Sequence, residues 1–262
     1  MKTMTSILLK EVIWLFISQL AATATLRSTL AILSSSSNTN FPKMESKLDV
    51  GENRLGNPNI LITGGAGYIG THTIVVLLEA GYDVTVVDSL VNSNEESLRR
   101  VRRISNCADH RIQFFKVDLC DSEALEDVFK SSPKFDACIH FAGLKAVGES
   151  VQKPLLYYQN NLLSTINLLN LLNKYNCTSI IFSSSATVYG SAEVRIQIGS
   201  TWVIMYNEHQ QVPITESTPT GTGITNPYGR TKYMIEEILM VIYLCLWFCT
   251  HVSNLIPLCI FI

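Results

Sequence analysis

Short apolar runs alternate with amphipathic stretches along the chain from Asn59 onwards. Runs of four or five apolar residues are typical of buried strands, and the longer stretches between them carry apolar residues at helical spacing. The predicted strands are Ile60–Thr63, Val84–Val87, Gln113–Val117, Ala137–Phe141 and Ser179–Ser183. The predicted helices between them are Tyr68–Glu79, Asn94–Arg103, Glu123–Lys130 and Leu155–Tyr175. Strands that alternate with helices indicate βαβ units, so we expect an α/β fold with a doubly wound parallel sheet.

Composition and charge indicate which partners and which kinds of site the chain should lack. The 262 residues carry 20 basic and 22 acidic side chains, a net charge of −2, so we expect no nucleic-acid partner. The seven cysteines form no C-x-x-C pair and have no histidine at metal-ligand spacing. We therefore expect no metal site, and we interpret the cysteines as reduced thiols of a cytoplasmic protein.

A glycine-rich turn follows the first predicted strand. Gly64, Gly67 and Gly70 have the spacing G-x-x-G-x-x-G, and a predicted helix continues from the turn. Glycine permits a tight turn and a close approach of the backbone to a pyrophosphate, and the positive end of the helix faces that anion. This strand–turn–helix context predicts a Rossmann dinucleotide site.

Asp88 ends the second predicted strand, eighteen residues after Gly70. A carboxylate at this place accepts hydrogen bonds from an adenosine ribose and repels a 2′-phosphate, which favours NAD over NADP. The alternative interpretation of Asp88 is an ordinary turn residue.

Tyr228 and Lys232 lie four residues apart in NPYGRTK, where Asn226 is the expected N-cap and Pro227 the first helical residue. They therefore share one helix face. A free tyrosine has a pKa of about 10, and a nearby ammonium and a cationic nicotinamide both favour the phenolate. Tyr228 is thus a candidate base, although the same spacing occurs on solvated helix faces.

Ser185 follows the last predicted strand, in FSSSATVYG. A serine hydroxyl at the carboxyl end of a parallel strand points towards the crevice in which such folds bind ligands. Ser185 is therefore a candidate to bind a reacting sugar hydroxyl and to assist proton transfer, with loop filler as the alternative.

In this chain order, the glycine turn, the serine and the tyrosine–lysine pair resemble the extended short-chain dehydrogenase/reductase superfamily. The segments HFAGLKAVGES (His140–Ser150) and KPLLYYQNN (Lys153–Asn161) resemble, more narrowly, the UDP-glucose 4-epimerase family. Related sugar dehydratases and pentose epimerases usually differ at Gly-Leu-Lys within the first segment. The resemblance runs from about Asn59 to Met240 and excludes Val194–Gln211.

The resemblance implies an isomerase of galactose metabolism that interconverts UDP-glucose and UDP-galactose with bound NAD. Tyr228 would remove the proton of the 4-hydroxyl, assisted by Lys232 and Ser185, while hydride passes to NAD. The 4-keto sugar would then rotate and take the hydride back on its other face. The implied substrate contacts are Lys145, Ser185 and Tyr228. The implied NAD contacts are Gly64, Gly67, Tyr68, Ile69, Gly70, Asp88, Asn92, Ser93, Asp118, Leu119, Phe141, Ala142, Gly143, Lys145, Asn160, Tyr228 and Lys232.

Three segments depart from the family. We expect residues 57–240 to form the NAD-binding domain, with 194–211 as an atypical insert that matches no element of the pattern. Residues 1–56 form a non-family extension that resembles a signal peptide or an organelle transit segment. A natural start at Met44 is the interpretation that we favour, because a cytosolic enzyme needs no such address.

The residues after Met240 are an apolar, uncharged tail, 241–262, without a βαβ rhythm. The family adds a further strand and a smaller C-terminal substrate domain here, so we expect an incomplete fold, a truncated product and an insert that separates Ser185 from Tyr228. The run Ile238–Cys249 is shorter than the ~20 residues that cross a bilayer, so we expect no membrane partner. The alternatives are a non-catalytic NAD-binding remnant, another nucleotide-sugar epimerase or dehydratase, and a membrane-associated protein. The family forms homodimers, and dimerisation of this chain stays open.

Overall fold

The apolar runs become strands of a six-stranded parallel sheet in the computed structural model, which describes residues 56–190, 193–198, 201–206, 218–249 and 256–260. The sheet has the order β3-β2-β1-β4-β5-β8, and each neighbouring pair is parallel. Its strands are β1 (Asn59–Thr63), β2 (Asp83–Val87), β3 (Ile112–Phe115), β4 (Ala137–His140), β5 (Ser179–Ser183) and β8 (Ile256–Ile260). The five predicted strands are confirmed, with ends that differ by at most two residues.

Six helices alternate with the strands in the described residues. They are α1 (Tyr68–Glu79), α2 (Glu96–Ser105), α3 (Ser122–Ser131), α4 (Val147–Gln152), α5 (Pro154–Lys174) and α6 (Pro227–Cys249). Short 3-10 turns occupy Asp109–Arg111 and Ala186–Tyr189. The four predicted helices are confirmed to within two residues, and the predicted helix start at Pro227 is confirmed.

The side chains of β1 alternate between the two faces of the sheet, as the pleat of a strand requires. Ile60 and Ile62 pack with apolar residues of α1 and α2 on one face. Leu61 packs on the other face with residues of α3, α5 and α6. Both faces are therefore covered, as predicted for a doubly wound sheet.

The strand order reverses between β1 and β4. From β1 the chain proceeds outwards to β2 and β3, and it then returns to β4 and proceeds outwards to β5 on the other side. A crevice forms at the carboxyl ends of the two strands that flank such a reversal. This topology places the glycine turn after β1 next to the loop after β4.

Two segments contain elements that the sequence pattern did not indicate. The insert forms an antiparallel hairpin of β6 (Glu193–Ile198) and β7 (Thr201–Tyr206), separate from the main sheet. The tail continues α6 to Cys249 and adds β8, which pairs parallel with β5 at the sheet edge. The expectation of a tail without βαβ rhythm is therefore wrong. Pro257 does not prevent this strand, because an edge strand tolerates a residue without an N–H group.

The predicted extension up to residue 55, and its alternative interpretations as a targeting segment or a late start, lie outside the described residues. Within the described ranges, none of the helices combines the length and the apolar composition that crossing a bilayer requires.

Candidate active site

A cleft of about 570 Å³ opens where the carboxyl ends of β1, β2, β4 and β5 meet the start of α1. It brings together sixteen of the eighteen predicted site residues, all except Ser93 and Ser185. The predicted residues that line it are Gly64, Gly67, Tyr68, Ile69, Gly70, Asp88, Asn92, Asp118, Leu119, Phe141, Ala142, Gly143, Lys145, Asn160, Tyr228 and Lys232.

The glycine turn is shaped by two positions at which a side chain does not fit. Gly64 has a φ of +69°, and a Cβ there would lie 2.7 Å from the backbone nitrogen of Ala142. A Cβ on Gly70 would lie 2.6 Å from the Cα of Gly65. Bare backbone therefore packs the turn against the loop after β4. No side chain among the described residues caps the first turn of α1, so its N–H groups are available to an anion in the cleft.

Asp88 is 8% exposed and is held by three donors at the end of β2. Its Oδ2 accepts from the backbone N–H of Ala66 at 3.0 Å, and its Oδ1 accepts from the backbone N–H of Leu90 at 2.9 Å. The Ser93 hydroxyl donates to the same Oδ1 at 2.8 Å. The structure thus places Ser93 behind the carboxylate rather than on the cleft wall. It also ties Asp88 to the glycine turn, which the sequence did not indicate.

Asn226 caps the helix that carries the tyrosine and the lysine, because its Oδ1 accepts from the backbone N–H of Gly229 at 2.7 Å. This confirms the predicted cap. The cap and the first turn present Tyr228 to the cleft, one helical turn before Lys232.

Ser185 lies near enough to Tyr228 to lower the pKa of its phenol, although the two lie on either side of the inserted hairpin. The insert separates the two residues along the chain and left their mutual geometry open, and the structure brings them near each other. Ser185 also caps the 3-10 turn, where its Oγ accepts from the backbone N–H of Thr187 at 3.3 Å and from the Thr187 hydroxyl at 3.0 Å. Three contacts fix its position just behind the cleft wall.

The electrostatics of Tyr228 differ from the expectation. Burial raises the pKa of Tyr228, and the hydrogen bond from Ser185 lowers it by less. Lys232 contributes little, because its Nζ lies 6.0 Å from the centroid of the Tyr228 ring and donates to the carbonyl of Ser183 at 2.8 Å. The prediction that this ammonium lowers the tyrosine pKa is therefore not met in the free chain.

Lys232 is 5% exposed, and burial lowers its pKa to about 8 against the opposing attraction of Glu236. Its Nζ lies 4.6 Å from the centroid of the Phe182 ring. The Phe182 ring and the Ser183 carbonyl hold this lysine in one orientation, at the part of the cleft that Tyr228 also lines.

Sequence reasoning missed Asn161, which links the loop after β4 to α6. The side chain is 2% exposed, and its Oδ1 accepts from the backbone N–H of Leu144 at 2.8 Å. Its Nδ2 donates to the carbonyl of Leu144 and to the Thr231 hydroxyl, both at 3.0 Å. A polar residue inside the largely apolar pattern of α5 was the available signal.

Sequence reasoning also missed His140, which lies under the cleft at 0% exposure. Its Nδ1 is 2.6 Å from the Thr63 hydroxyl and its Nε2 is 3.0 Å from the Thr165 hydroxyl. The Thr165 hydroxyl donates to the carbonyl of Asn161 at 2.8 Å, so it accepts from an Nε2–H of His140. Burial, and then Lys232, lowers the pKa of His140 to about 3, so the imidazole is neutral.

A further missed group orders the loop that carries Lys145. The Tyr157 hydroxyl, on a fully buried ring, lies 2.9 Å from the carbonyl of Ala146 and 3.0 Å from Oε2 of Glu149. It also accepts from the backbone N–H of Ala146 at 3.1 Å. These contacts hold the residue next to Lys145 on the cleft wall. The described residues contain no group of three His, Cys, Asp or Glu side chains able to hold a metal ion.

Known proteins resemble the chain in this region. The sequence profile of the NAD dependent epimerase/dehydratase family matches residues 60–243. UDP-glucose 4-epimerase 2 of Arabidopsis thaliana is 52% identical over 180 residues, which cover 69% of this chain and 46% of that protein. The UDP-glucose 4-epimerase of Caenorhabditis elegans is 47% identical over 190 residues, covering 70% and 48%.

Solved structures give the same resemblance. The crystal structure of UDP-glucose 4-epimerase from Bifidobacterium longum, in complex with NAD+ and UDP, aligns with a TM-score of 0.61 at 45% identity. The alignment covers 71% of this chain and 49% of that structure. The chain thus spans about half the length of the curated relatives that it matches, which are covered to 46% and 48%.

Proposed function

The chain belongs to the NAD dependent epimerase/dehydratase family, and on that premise we propose that it binds NAD and interconverts UDP-glucose and UDP-galactose. The observation that carries the proposal is that Tyr228, on whose phenol Ser185 acts, lines the same cleft as the glycine turn. A proton-transfer pair and a dinucleotide-shaped site thereby lie side by side.

The residues present fit NAD. The turn at Gly64 has no room for a Cβ, and the open first turn of α1 offers N–H groups to a pyrophosphate. The Asp88 carboxylate supplies acceptors for a ribose and a negative charge that disfavours a 2′-phosphate. Tyr228 and Lys232 line the cleft beyond the glycine turn, so we place the reacting end of the cofactor there.

The chemistry assigned to the chain is proton transfer at the sugar 4-hydroxyl. A bound NAD supplies the acceptor and the donor of the C4 hydride. Tyr228 takes the hydroxyl proton, and Ser185 stabilises the resulting phenolate because it donates to the phenol oxygen. Lys232 adds positive charge within the same cleft.

The return half of the reaction uses the same groups in reverse. After the 4-keto sugar rotates, Tyr228 gives the proton back to the sugar oxygen while the hydride returns to the other face of C4. Lys145 lines the cleft and is the proposed further contact to the substrate. Its backbone position is set by the contacts of the neighbouring Ala146 with Tyr157.

Turnover by the full chain tests this function. Purified chain is incubated with UDP-galactose and NAD, and the formation of UDP-glucose is followed. We expect turnover that Tyr228→Phe abolishes and that Tyr82→Phe leaves unchanged, because Tyr82 packs against the core next to α1, away from the cleft. A folded, NAD-loaded chain without turnover would instead identify a non-catalytic NAD-binding protein. Equal turnover by Tyr228→Phe would overturn the assignment of the base.

Cytoplasmic location and homodimerisation are also proposals. The four cysteines within the described side chains are free thiols, which supports a reducing compartment. Exposed apolar side chains on α5 and α6, including Leu155 at 80% and Met240 at 63% exposure, support a partner on that face. Sedimentation of the chain tests the second proposal, with a monomer as the contradicting result.

A further inference from the structure

Three consecutive serines, Ser183 at the end of β5 and the two that follow it, each lie against a different turn of α6. Ser185 acts on the phenol of Tyr228 and lowers its pKa, and the Ser183 carbonyl accepts from Lys232 Nζ at 2.8 Å. The Ser184 hydroxyl donates to Oε1 of Glu236 in a short hydrogen bond. The three helix residues are spaced four apart, so they share one helix face. That face packs against the serine segment.

The contact between Ser184 and Glu236 adds to the site a residue, Glu236, that does not line the cleft. Ser184 is 3% exposed, and Glu236 is partly buried. Burial raises the pKa of Glu236, and this is opposed by the hydrogen bond from Ser184 and by the attraction of Lys232. A partly buried carboxylate needs partners in place of water, and Glu236 has a buried hydroxyl and a buried ammonium in that role.

The groups that face Lys232 come from three elements. On α6 they are Tyr228 and Glu236; on β5 they are the Phe182 ring and the Ser183 carbonyl. On β4 the nearby titratable group is His140, whose pKa of about 3 keeps it neutral. Within the described part of the chain, Glu236 is therefore the carboxylate that supports the charge of this ammonium.

We propose that Glu236 is a positioning residue of the active site, which fixes the serine segment through Ser184 and keeps the buried ammonium of Lys232 charged. The inference rests on the proposed function for its consequence, since that function uses a correctly placed Ser185 at Tyr228 and the positive charge of Lys232 in the cleft. The test does not depend on that function, because the contact of Glu236 with Ser184 and its effect on Lys232 both exist in the free chain.

Nuclear magnetic resonance of the full chain, labelled with ¹³C at the lysine side chains, tests the electrostatic part. The Lys232 signal is identified as the one lost in Lys232→Arg, and it is followed from pH 6 to 11. In the unsubstituted chain we expect a midpoint near 8, as burial dictates. Glu236→Gln keeps an acceptor for Ser184 and removes the charge, so the midpoint should fall by roughly half a pH unit or more. The neighbouring Glu237→Gln is the matched control and should not move it.

Ser184→Ala tests the hydrogen bond and serves also if Glu236→Gln does not fold. With ¹³C at the glutamate carboxyl groups, loss of the donor should raise the midpoint of Glu236 and leave that of Glu237 unchanged. A Lys232 midpoint that is the same in Glu236→Gln and in the unsubstituted chain would overturn the proposal, as would an unchanged Glu236 midpoint in Ser184→Ala. Failure of the proposed function has a different signature, namely absence of NAD binding while both midpoints move as expected.

Discussion

The side-chain nitrogen of Asn161 and the hydroxyl of Thr231 lie 3.0 Å apart, and this hydrogen bond joins α5 to the helix that carries Tyr228. Asn161 uses both of its N–H donors and its side-chain oxygen, because it also pairs with both backbone groups of Leu144. Thr231 in turn donates to the carbonyl of Tyr228 at 2.7 Å. The loop after β4 and the backbone of Tyr228 are therefore linked through one buried amide.

Asn161→Ala should destabilise the chain strongly. It removes the partner of the partly buried backbone groups of Leu144 and of the buried Thr231 hydroxyl, and a loss of this kind costs about 1–3 kcal/mol when the group is buried. We expect the free energy of unfolding in urea to fall by roughly 2–4 kcal/mol. Asn173→Ala, at an exposed position of the same helix, should change it by less than about 0.5 kcal/mol. Equal effects of the two substitutions would show that the amide linkage contributes nothing.

Gly64→Ala should weaken NAD binding at least about tenfold, a change of 1.4 kcal/mol. The added Cβ would lie 2.7 Å from the Ala142 nitrogen and would push the turn away from the loop after β4. Gly81→Ala is the matched control, because Gly81 also has a positive φ, +91°, but nothing lies within 4 Å of its Cβ position. Titration calorimetry should find NAD affinity retained in the control. Loss of affinity in both would attribute the effect to backbone strain alone.

Asp88→Asn should reduce the preference for NAD over NADP by about tenfold or more, since a hydrogen bond to a charged group contributes roughly 1.5–3 kcal/mol. The substitution removes the negative charge that repels a 2′-phosphate and disturbs three donors that aim at the carboxylate. Binding of both dinucleotides is measured, with Asp127→Asn, on the exposed surface of α3, as control. An unchanged preference would remove Asp88 from the ribose site.

Acid should destabilise the chain through His140. The native pKa of His140 lies at about 3, below the 6.5 of a free imidazole, because burial disfavours the charged form. The unfolded chain therefore binds an extra proton as the pH falls below 6.5, and stability present above that pH is lost progressively towards pH 3. The full loss is on the order of 4 kcal/mol.

Urea unfolding of the unsubstituted chain and of His140→Gln, at pH 7 and pH 4, checks this prediction. The substituted chain should be less stable at pH 7 but should lose less between the two values, whereas the exposed His110→Gln should behave as the unsubstituted chain. A pH dependence that is identical in His140→Gln would place the acid sensitivity elsewhere.

Local sequence signals were sufficient for the framework of the fold. The β1–turn–α1 unit with Gly64 and the capped helix start at Asn226 follow from residues that are close in sequence, and both are found as predicted. Periodicity located the central strands for the same reason, because each strand is buried on both faces.

Partners that are far apart in sequence were not predictable in this way. Asn161 and Thr231 are 70 residues apart, and Ser184 and Glu236 are 52 residues apart, so only the folded topology joins them. The upward pKa shift of Tyr228 was missed because it depends on burial, which the spacing of Tyr228 and Lys232 does not report. The strand β8 was missed because its apolar residues follow a charge-free stretch without the usual alternation.

The fate of the hydrogen at C4 of the sugar is the most direct test of the proposed epimerase reaction. Full chain with NAD is given UDP-galactose that carries deuterium at C4, and the product is analysed by mass spectrometry and proton resonance. We expect UDP-glucose that keeps the deuterium at C4, because in the proposed reaction the hydride leaves and returns within the one cleft that Tyr228 lines. Loss of the deuterium to water would contradict the assigned chemistry, and no conversion by a chain that is folded and loaded with NAD would contradict the proposed activity.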